Sequence, residues 1–379
     1  MTALFTRCCV VGGGPAGMML GLLLARAGVD VTVLEKHGDF LRDFRGDTVH
    51  PSTLEVMGEL GLLERFLARP HDEARTLRAH ISGKSVAIAD FSRLSTRCRF
   101  IALMPQWEFL DFLRDEAERY PNFCLRLRTE GIGVIARGGR VIGVEAMGAE
   151  GPLRIASDLV VAADGRRSVL RGAASLAVRD IGAPIDVLWL RLPKRAGDPD
   201  GTGGYIDTGH FMATIDRNSY WQCAYVIAKG GIEAIKARGL PAFRAEIAAT
   251  VPPLADRVDH IASWDDVKLL GVTVDRLVKW WTPGLLCIGD AAHAMSPIGG
   301  VGINLAVQDA VATANLLRDA LADMTVPAEA ITPLLADVQR RREFPAKVTQ
   351  AVQVAVQNRL LTPILRSGQR AKPFGVPWV

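Results

Sequence analysis

Cys8-Cys9-Val10-Val11-Gly12-Gly13-Gly14-Pro15-Ala16-Gly17 reads as a buried strand running through a glycine turn into a helix. The helix continues through the small and apolar residues Met18 to Ala27, and a second strand, Val29 to Leu34, ends at Glu35. A strand–turn–helix–strand unit with an acid about 20 residues beyond the glycines is the pattern of a dinucleotide fold. Gly12 permits the tight turn, Gly14 lets the backbone approach a pyrophosphate, and Gly17 lets helix and strand pack closely. Pro15 suits a first helical turn, where its missing donor is not needed. The N–H groups from Ala16 onward offer partial positive charge to phosphates. Glu35 is placed to accept hydrogen bonds from a ribose, with Lys36 beside it.

The 379 residues suffice for two domains, and with 49% hydrophobic residues the chain can bury a substantial core. A net charge of +4, without a basic run interleaved with aromatics, argues against a nucleic-acid partner. The six cysteines form no C-x-x-C pair and no Cys/His cluster with metal spacing, so no metal is expected. Cys8 and Cys9, adjacent on a buried strand, read as reduced core residues of a reducing compartment. Neither a signal peptide nor an apolar run of about 18 residues is seen, so the expectation is a cytoplasmic protein without stable membrane insertion, as monomer or homodimer.

Beyond Glu35, the segment Phe40 to Pro51 is polar and irregular. Ser52 is expected to cap a helix from Thr53 to Leu67, and Thr76 to Phe91 to form a hairpin about Gly83. Gln106 to Arg119 has helical periodicity, and Leu125 to Val144 forms a second hairpin about Gly138-Gly139. Ala156 to Ala163 is an apolar strand that ends at Asp164-Gly165. Between Ile181 and Ser263 the texture is that of an antiparallel sheet: strands at Val187–Leu192, Phe211–Ile215 and Trp221–Ala228, with short helices at Ile232–Ala237 and Phe243–Thr250. Leu285 to Ile288 returns as a buried strand, a long helix runs from Gly302 to Leu321, and a helical region from Pro333 to Leu361 is expected to bend or break at Pro345. Its apolar positions Val348, Val352, Val356 and Leu360 are expected to pack inward rather than on a membrane surface.

Two further segments repeat the logic of the first. Asp164-Gly165 puts an acid at the carboxyl end of a strand, and Gly289-Asp290-Ala291-Ala292-His293 does so again. Ligands of open α/β sheets sit at such ends. Pro297-Ile298-Gly299-Gly300-Val301-Gly302-Ile303-Asn304 follows, where glycines leave backbone N–H groups unobstructed. A helix starting at Gly302 turns its positive end toward that ligand. A reduced flavin, negative around N1 and O2, is the cofactor that such a second helix start suits.

In these three motifs, in their order and spacing over about residues 5–320, the chain resembles the class A flavoprotein monooxygenases, the para-hydroxybenzoate hydroxylase-like family. The resemblance implies an α/β fold: a Rossmann-like, glutathione-reductase-type FAD domain (1–75, 98–175 and 271–325), an inserted antiparallel sheet domain for the substrate (76–97 and 176–270) and a C-terminal helical segment (326–379). It implies that Gly12, Gly14, Pro15, Ala16 and Gly17 hold the FAD pyrophosphate, that Glu35 with Lys36 binds the adenosine end, that Arg45 meets the phosphates, and that Gln106 contacts the flavin. Asp164 would serve FAD and the reduced nicotinamide. Gly289 and Asp290 would bind the ribityl–pyrophosphate region. Gly300, Gly302, Ile303 and Asn304 would line the flavin, with Pro297 beside the reacting carbon. Val301 departs from relatives that carry a basic residue there.

The implied chemistry is reduction of FAD by NADPH or NADH, addition of molecular oxygen to give a flavin C4a-hydroperoxide, and hydroxylation of an aromatic or polycyclic, phenol- or polyketide-like small molecule. The middle sheet is the expected roof that keeps water out. His50 is the candidate base for a phenol proton, with helix capping as the competing role. His210, Tyr220 and Gln222 are substrate candidates, the last two on one strand face. His293, Trp189, Trp221 and Tyr225 are read as structural. An FAD-dependent reductase of a prenyl chain or quinone without oxygen insertion is the alternative, and an FAD-carrying module without turnover a third.

Overall fold

The computed structural model describes residues 2–41, 48–81, 83–198, 201–207, 209–217 and 219–366. Its chain divides into two compact units: Met1–Asp47, Met104–Gly182 and Thr273–Gln350 in the first, and Thr48–Leu103, Ala183–Val272 and Ala351–Val379 in the second.

The first unit is built on the opening strand, Thr2–Val11, which pairs in parallel with Val31–Leu34 on one side and Gly151–Ala162 on the other. The latter pairs in parallel with Leu285–Cys287, and Val31–Leu34 with Phe123–Arg126. Strands flanked on both faces read as continuous apolar runs, and Cys8, Cys9, Val10, Val160 and Val161 are all fully buried. Burial pushes the Cys9 thiol up to about 12, which keeps it protonated and inert. The hairpin expected about Gly138-Gly139 is present as Glu130–Arg137 and Arg140–Gly148, joined antiparallel to Gly151–Ala162.

Helix Pro15–Arg26 follows the glycine turn and packs along the long helix Gly302–Ala322 and along Gln106–Ala117. The far end of the long helix is closed by Arg7. That guanidinium, only 4% exposed, donates to the carbonyls of Ala320 (3.0 Å), Leu321 (3.0 Å), Asp323 (2.8 Å) and Val326 (2.9 Å) and pairs with Asp158 at 2.5 Å. A buried cation at the negative end of a helix offsets its unsatisfied carbonyls.

The second unit holds a seven-stranded sheet in the order Lys268–Leu270, Ile185–Pro193, Tyr220–Ala228, His210–Asp216, Gly203–Asp207, Thr76–Ile81, Lys84–Asp90. It is antiparallel except that Gly203–Asp207 pairs in parallel with Thr76–Ile81. One face carries Leu188, Leu190, Met212, Trp221, Cys223, Tyr225 and Ile227 against Phe243, Ile247, Leu254 and Val258. Residues 48–75, expected with the nucleotide-binding part, pack in this unit instead. Thr48–Val49 and Asp72–Ala74 both pair with Ile101–Leu103, and these local ladders outweigh proximity in sequence to the first glycine motif.

Three boundaries differ from expectation. The helix expected from Ser52 starts at Pro51 with His50 as its cap residue, because proline's fixed φ suits the first turn. It also ends at Glu59, and Gly61 (φ +72°) turns the chain into the separate helix Leu63–Leu67. The C-terminal helix Thr332–Val356 runs through Pro345 unbroken; the irregularity comes at Gln357–Leu361, a single wider turn before Thr362–Arg366. Loss of one hydrogen bond at Pro345 does not end a helix whose Leu335, Val338 and Ala346 are fully buried. Val348 and Val352, expected to pack inward, are 46% and 59% exposed.

No helix among the described residues is long and apolar enough to cross a membrane. No group of three or more His, Cys, Asp and Glu among them is arranged to hold a metal ion.

Candidate active site

The glycines of the first motif have separate physical reasons. Gly12 sits at φ +109°, a region open to glycine, and a β-carbon there would lie 2.3 Å from the Ala163 carbonyl oxygen and 2.9 Å from Asp164 Cα. At Gly17 a β-carbon would lie 1.9 Å from the Gly12 oxygen, so strand end and helix start are in direct backbone contact. At Gly14 it would meet no protein atom within 4 Å. Two of the three glycines are thus required by the protein's own packing, whereas Gly14 faces open space.

Glu35 closes one side of this turn. Its Oε2 accepts from the Gly13 N–H (3.0 Å) and its Oε1 from the His37 N–H (3.0 Å). Lys36 turns to an exposed partner, Glu130, at 4.0 Å. Helix Pro15–Arg26 has no side-chain cap and no acid in its first turn, leaving its N-terminal dipole uncompensated by side chains.

Asp164 lies against Gly12. Its Oδ2 accepts from the N–H groups of Val169 (2.8 Å) and Leu170 (3.3 Å), while its Oδ1 is buried with no hydrogen-bond partner among the described residues. Burial raises its pKa, against the hydrogen bonds from Ser168, Leu170 and Val169 that lower it. A buried carboxylate oxygen left over is a group that a ligand hydroxyl or amide can satisfy.

Gly289, at φ +58°, brings the third motif to the same place. A β-carbon there would lie 3.1 Å from Ala16 Cβ on the first helix and 3.6 Å from Ala306 Cβ on the long helix. Asp290 follows, partly exposed, with its Oδ2 3.5 Å from Arg166. Pro297 then leads the turn Ile298–Gly300, where Gly299 (φ +77°) and Gly300 (φ +59°) are both left-handed. The long helix starts at Gly302 without a side-chain cap, and a β-carbon at Gly302 would meet nothing within 4 Å. Ile303 and Asn304 are buried, and Asn304 Nδ2 donates to the Gly300 carbonyl at 3.2 Å.

The first unit therefore gathers Gly12–Gly17, Glu35, Asp164, Gly289, Asp290 and the start of the long helix. An extended dinucleotide fits these residues: two cradles that a β-carbon would fill, two uncapped helix starts for its negative groups, and an orphaned buried carboxylate oxygen. Gln106 is the first residue of the helix Gln106–Ala117. Arg45 lies outside the described residues. His50, His210, Tyr220 and Gln222 belong to the second unit. There His210 Nδ1 meets the Tyr225 hydroxyl at 2.5 Å. Tyr225 packs in the helix-facing core, while strand alternation puts Tyr220 and Gln222 on the opposite face. Burial lowers the His210 pKa, outweighing the nearby Glu246.

Residues that pattern reading did not single out complete the site. Arg171 donates to the carbonyls of Arg166 (2.6 Å) and Ala291 (3.4 Å) and pairs with Asp275 at 3.3 Å, tying the Asp164 loop to the Asp290 loop. Ser168 caps the short helix Val169–Ala173. The signal lies in Asp164-Gly165-Arg166-Arg167-Ser168-Val169-Leu170-Arg171, a capping serine and an arginine one turn later.

The chain matches the model of the FAD binding domain family over residues 6–353. It is 33% identical over 372 residues to 6-methylpretetramide 4-monooxygenase of Streptomyces rimosus, covering 97% of this chain and 87% of that protein. It is 26% identical over 322 residues to a rifampicin monooxygenase of Streptomyces venezuelae, covering 79% of this chain and 61% of that longer protein. The crystal structure of PqsL, a probable FAD-dependent monooxygenase from Pseudomonas aeruginosa, shares the fold with a TM-score of 0.80 at 22% identity, over 95% of this chain and 98% of that one. The chain belongs to the FAD-binding-domain family of flavoprotein monooxygenases.

Proposed function

We propose that the protein is an NAD(P)H-consuming aromatic hydroxylase whose substrate is a polycyclic, polyketide-like phenol. The observation that carries the reading is the convergence of the three motif segments on the first glycine turn: a β-carbon at Gly12 would lie 2.9 Å from Asp164 Cα, and one at Gly289 would lie 3.1 Å from Ala16 Cβ. The 33% identity over almost the whole chain to an enzyme named for 6-methylpretetramide supports the substrate class. Relatives named for oxygen insertion support hydroxylation over reduction without oxygen.

When bound, FAD supplies hydride acceptance from a nicotinamide and oxygen activation for transfer to an electron-rich ring. The chain's residues bind and orient. Gly12 and Gly17 hold the first turn shut, Gly14 leaves room for the pyrophosphate, and Glu35 receives the adenosine ribose. Asp164 Oδ1 takes a ligand donor, and Asp290 binds the polyol chain, with Arg166 neutralising it. The uncapped start at Gly302 stabilises negative charge on the ring system. His50 takes the phenol's proton, a contribution of about 10²–10⁴-fold.

The test is to supply purified protein with FAD, NADH or NADPH and a panel of simple and polycyclic phenols, following nicotinamide oxidation, oxygen uptake and product mass. A product heavier by one oxygen is the expected result, with His50→Ala retaining FAD but turning over about 10²-fold more slowly or worse. Nicotinamide oxidation without an oxygenated product across the panel refutes the proposal.

A further inference from the structure

Asp309 is the single acid between Gly302 and Leu317 of the long helix, and it is fully buried. No role assigned above uses it. Its carboxylate gathers three donors from two separate segments. Oδ2 accepts from the Gly289 N–H at 2.9 Å and from His293 Nε2 at 2.6 Å, and Oδ1 accepts from Arg342 Nε at 2.7 Å. His293 is 1% exposed, and its own backbone N–H donates to the Gly289 carbonyl at 2.9 Å. The turn from Gly289 to His293 is thus closed on itself and then tied to the helix at both ends. Burial acts to raise the Asp309 pKa, but the attraction of His293 and Arg342 outweighs it and holds the group below the usual carboxylate range. Because the acceptor is ionised, the His293 ring donates through Nε2.

We propose that Asp309 is a positioning residue for FAD: by holding the Gly289 N–H and the His293 ring on one oxygen, it fixes the left-handed turn that aims Asp290, and so sets cofactor affinity. This rests on the reading that the site takes FAD. The carboxylate's two sides separate its roles. Oδ2 holds the turn, whereas Oδ1 holds only Arg342, on the C-terminal helix. A residue that merely stabilises the fold would show no such asymmetry.

Asp309→Asn keeps the shape but carries one acceptor and one donor group. One amide N–H must face a donor, and because leaving the charged Arg342 without its acceptor costs more than leaving a backbone amide, the side-chain oxygen turns to Arg342 and the N–H confronts the fixed Gly289 N–H. A buried donor left without its acceptor costs enough to change binding by about tenfold or more. Arg342→Gln removes only the donor on the Oδ1 side. The experiment titrates FAD into apoprotein of wild type and both variants by flavin fluorescence, and records the visible circular dichroism of the bound flavin. Asp309→Asn is expected to raise the FAD Kd about tenfold or more and alter the dichroism, while Arg342→Gln stays within about threefold. Both variants are expected to unfold at lower temperature.

If Asp309→Asn gives no folded protein, His293 carries the same test. His293→Gln keeps a donor at similar reach and is expected to hold FAD within about threefold of wild type, whereas His293→Leu loses about tenfold. A wild-type Kd in Asp309→Asn or His293→Leu, or an equal loss in Arg342→Gln, overturns the inference. Wild-type protein that binds no FAD would instead overturn the function on which it rests.

Discussion

Gly14→Ala separates what a glycine does for the fold from what it does for a ligand. The backbone at Gly14 is φ −77°, ψ −175°, which alanine adopts freely, and the added β-carbon would have no protein atom within 4 Å. The folded apoprotein therefore gains no clash, and restricting the unfolded chain is worth about 0.4–1 kcal/mol in favour of the variant. A pyrophosphate lying against the uncapped helix start has no such freedom. A methyl group placed there holds the phosphates away from the N–H groups, and each charge-assisted hydrogen bond lost costs about 1.5–3 kcal/mol. The expected result is apoprotein melting at or slightly above the wild-type temperature, with FAD affinity down about 10- to 100-fold.

Gly17→Ala is the control of opposite sign. Its β-carbon would lie 1.9 Å from the Gly12 oxygen, so helix and strand must separate, an overpacking cost of about 1–3 kcal/mol or more. It should lower the melting temperature before any ligand is added. Differential scanning fluorimetry of apoprotein and a flavin fluorescence titration read both quantities. Unchanged FAD affinity in Gly14→Ala would refute the assignment of open space at Gly14 to the cofactor.

Two other outcomes are expected. Arg7→Met strips four carbonyl contacts and the Asp158 pair from the end of the long helix, and should cost about 3 kcal/mol in a urea titration; a loss under about 1 kcal/mol would mean that water replaces Arg7. Acid should weaken the protein in two windows. Burial lowers the His210 pKa, so the folded state resists the proton that the unfolded chain binds, and stability present above about pH 6.5 is lost as pH falls through the folded value. The Asp309 carboxyl is held below its ordinary range, so its contribution is complete above about pH 4 and is lost as pH falls through its folded value. Urea midpoints from pH 7.5 to 5 should fall less in His210→Gln than in wild type, and identical slopes would remove His210 from that account.

The nucleotide-binding architecture was legible because each of its steps is local. A buried strand, glycines where backbones touch, a proline at a helix start and an acid at the next strand end are dictated by neighbours within about 25 residues, and the structure places Gly17 against Gly12 and Glu35 against Gly13. The hairpin about Gly83 and the second about Gly138-Gly139 were legible for the same reason. Boundaries set by competition were not: His50, rather than Ser52, begins a helix because Pro51 follows it, and Pro345 leaves a long helix intact.

Sequence alone thus determined the class of fold and the chemistry of its glycine turns, since those are consequences of backbone sterics and strand alternation. Tertiary structure alone decided which polar groups answer one another. Arg171 reaches Ala291 across 120 positions, Arg342 reaches Asp309 across 33, and Arg7 reaches the end of a helix more than 300 residues away. A buried charge must find its partner wherever folding brings one, and no periodicity in the chain records where that is.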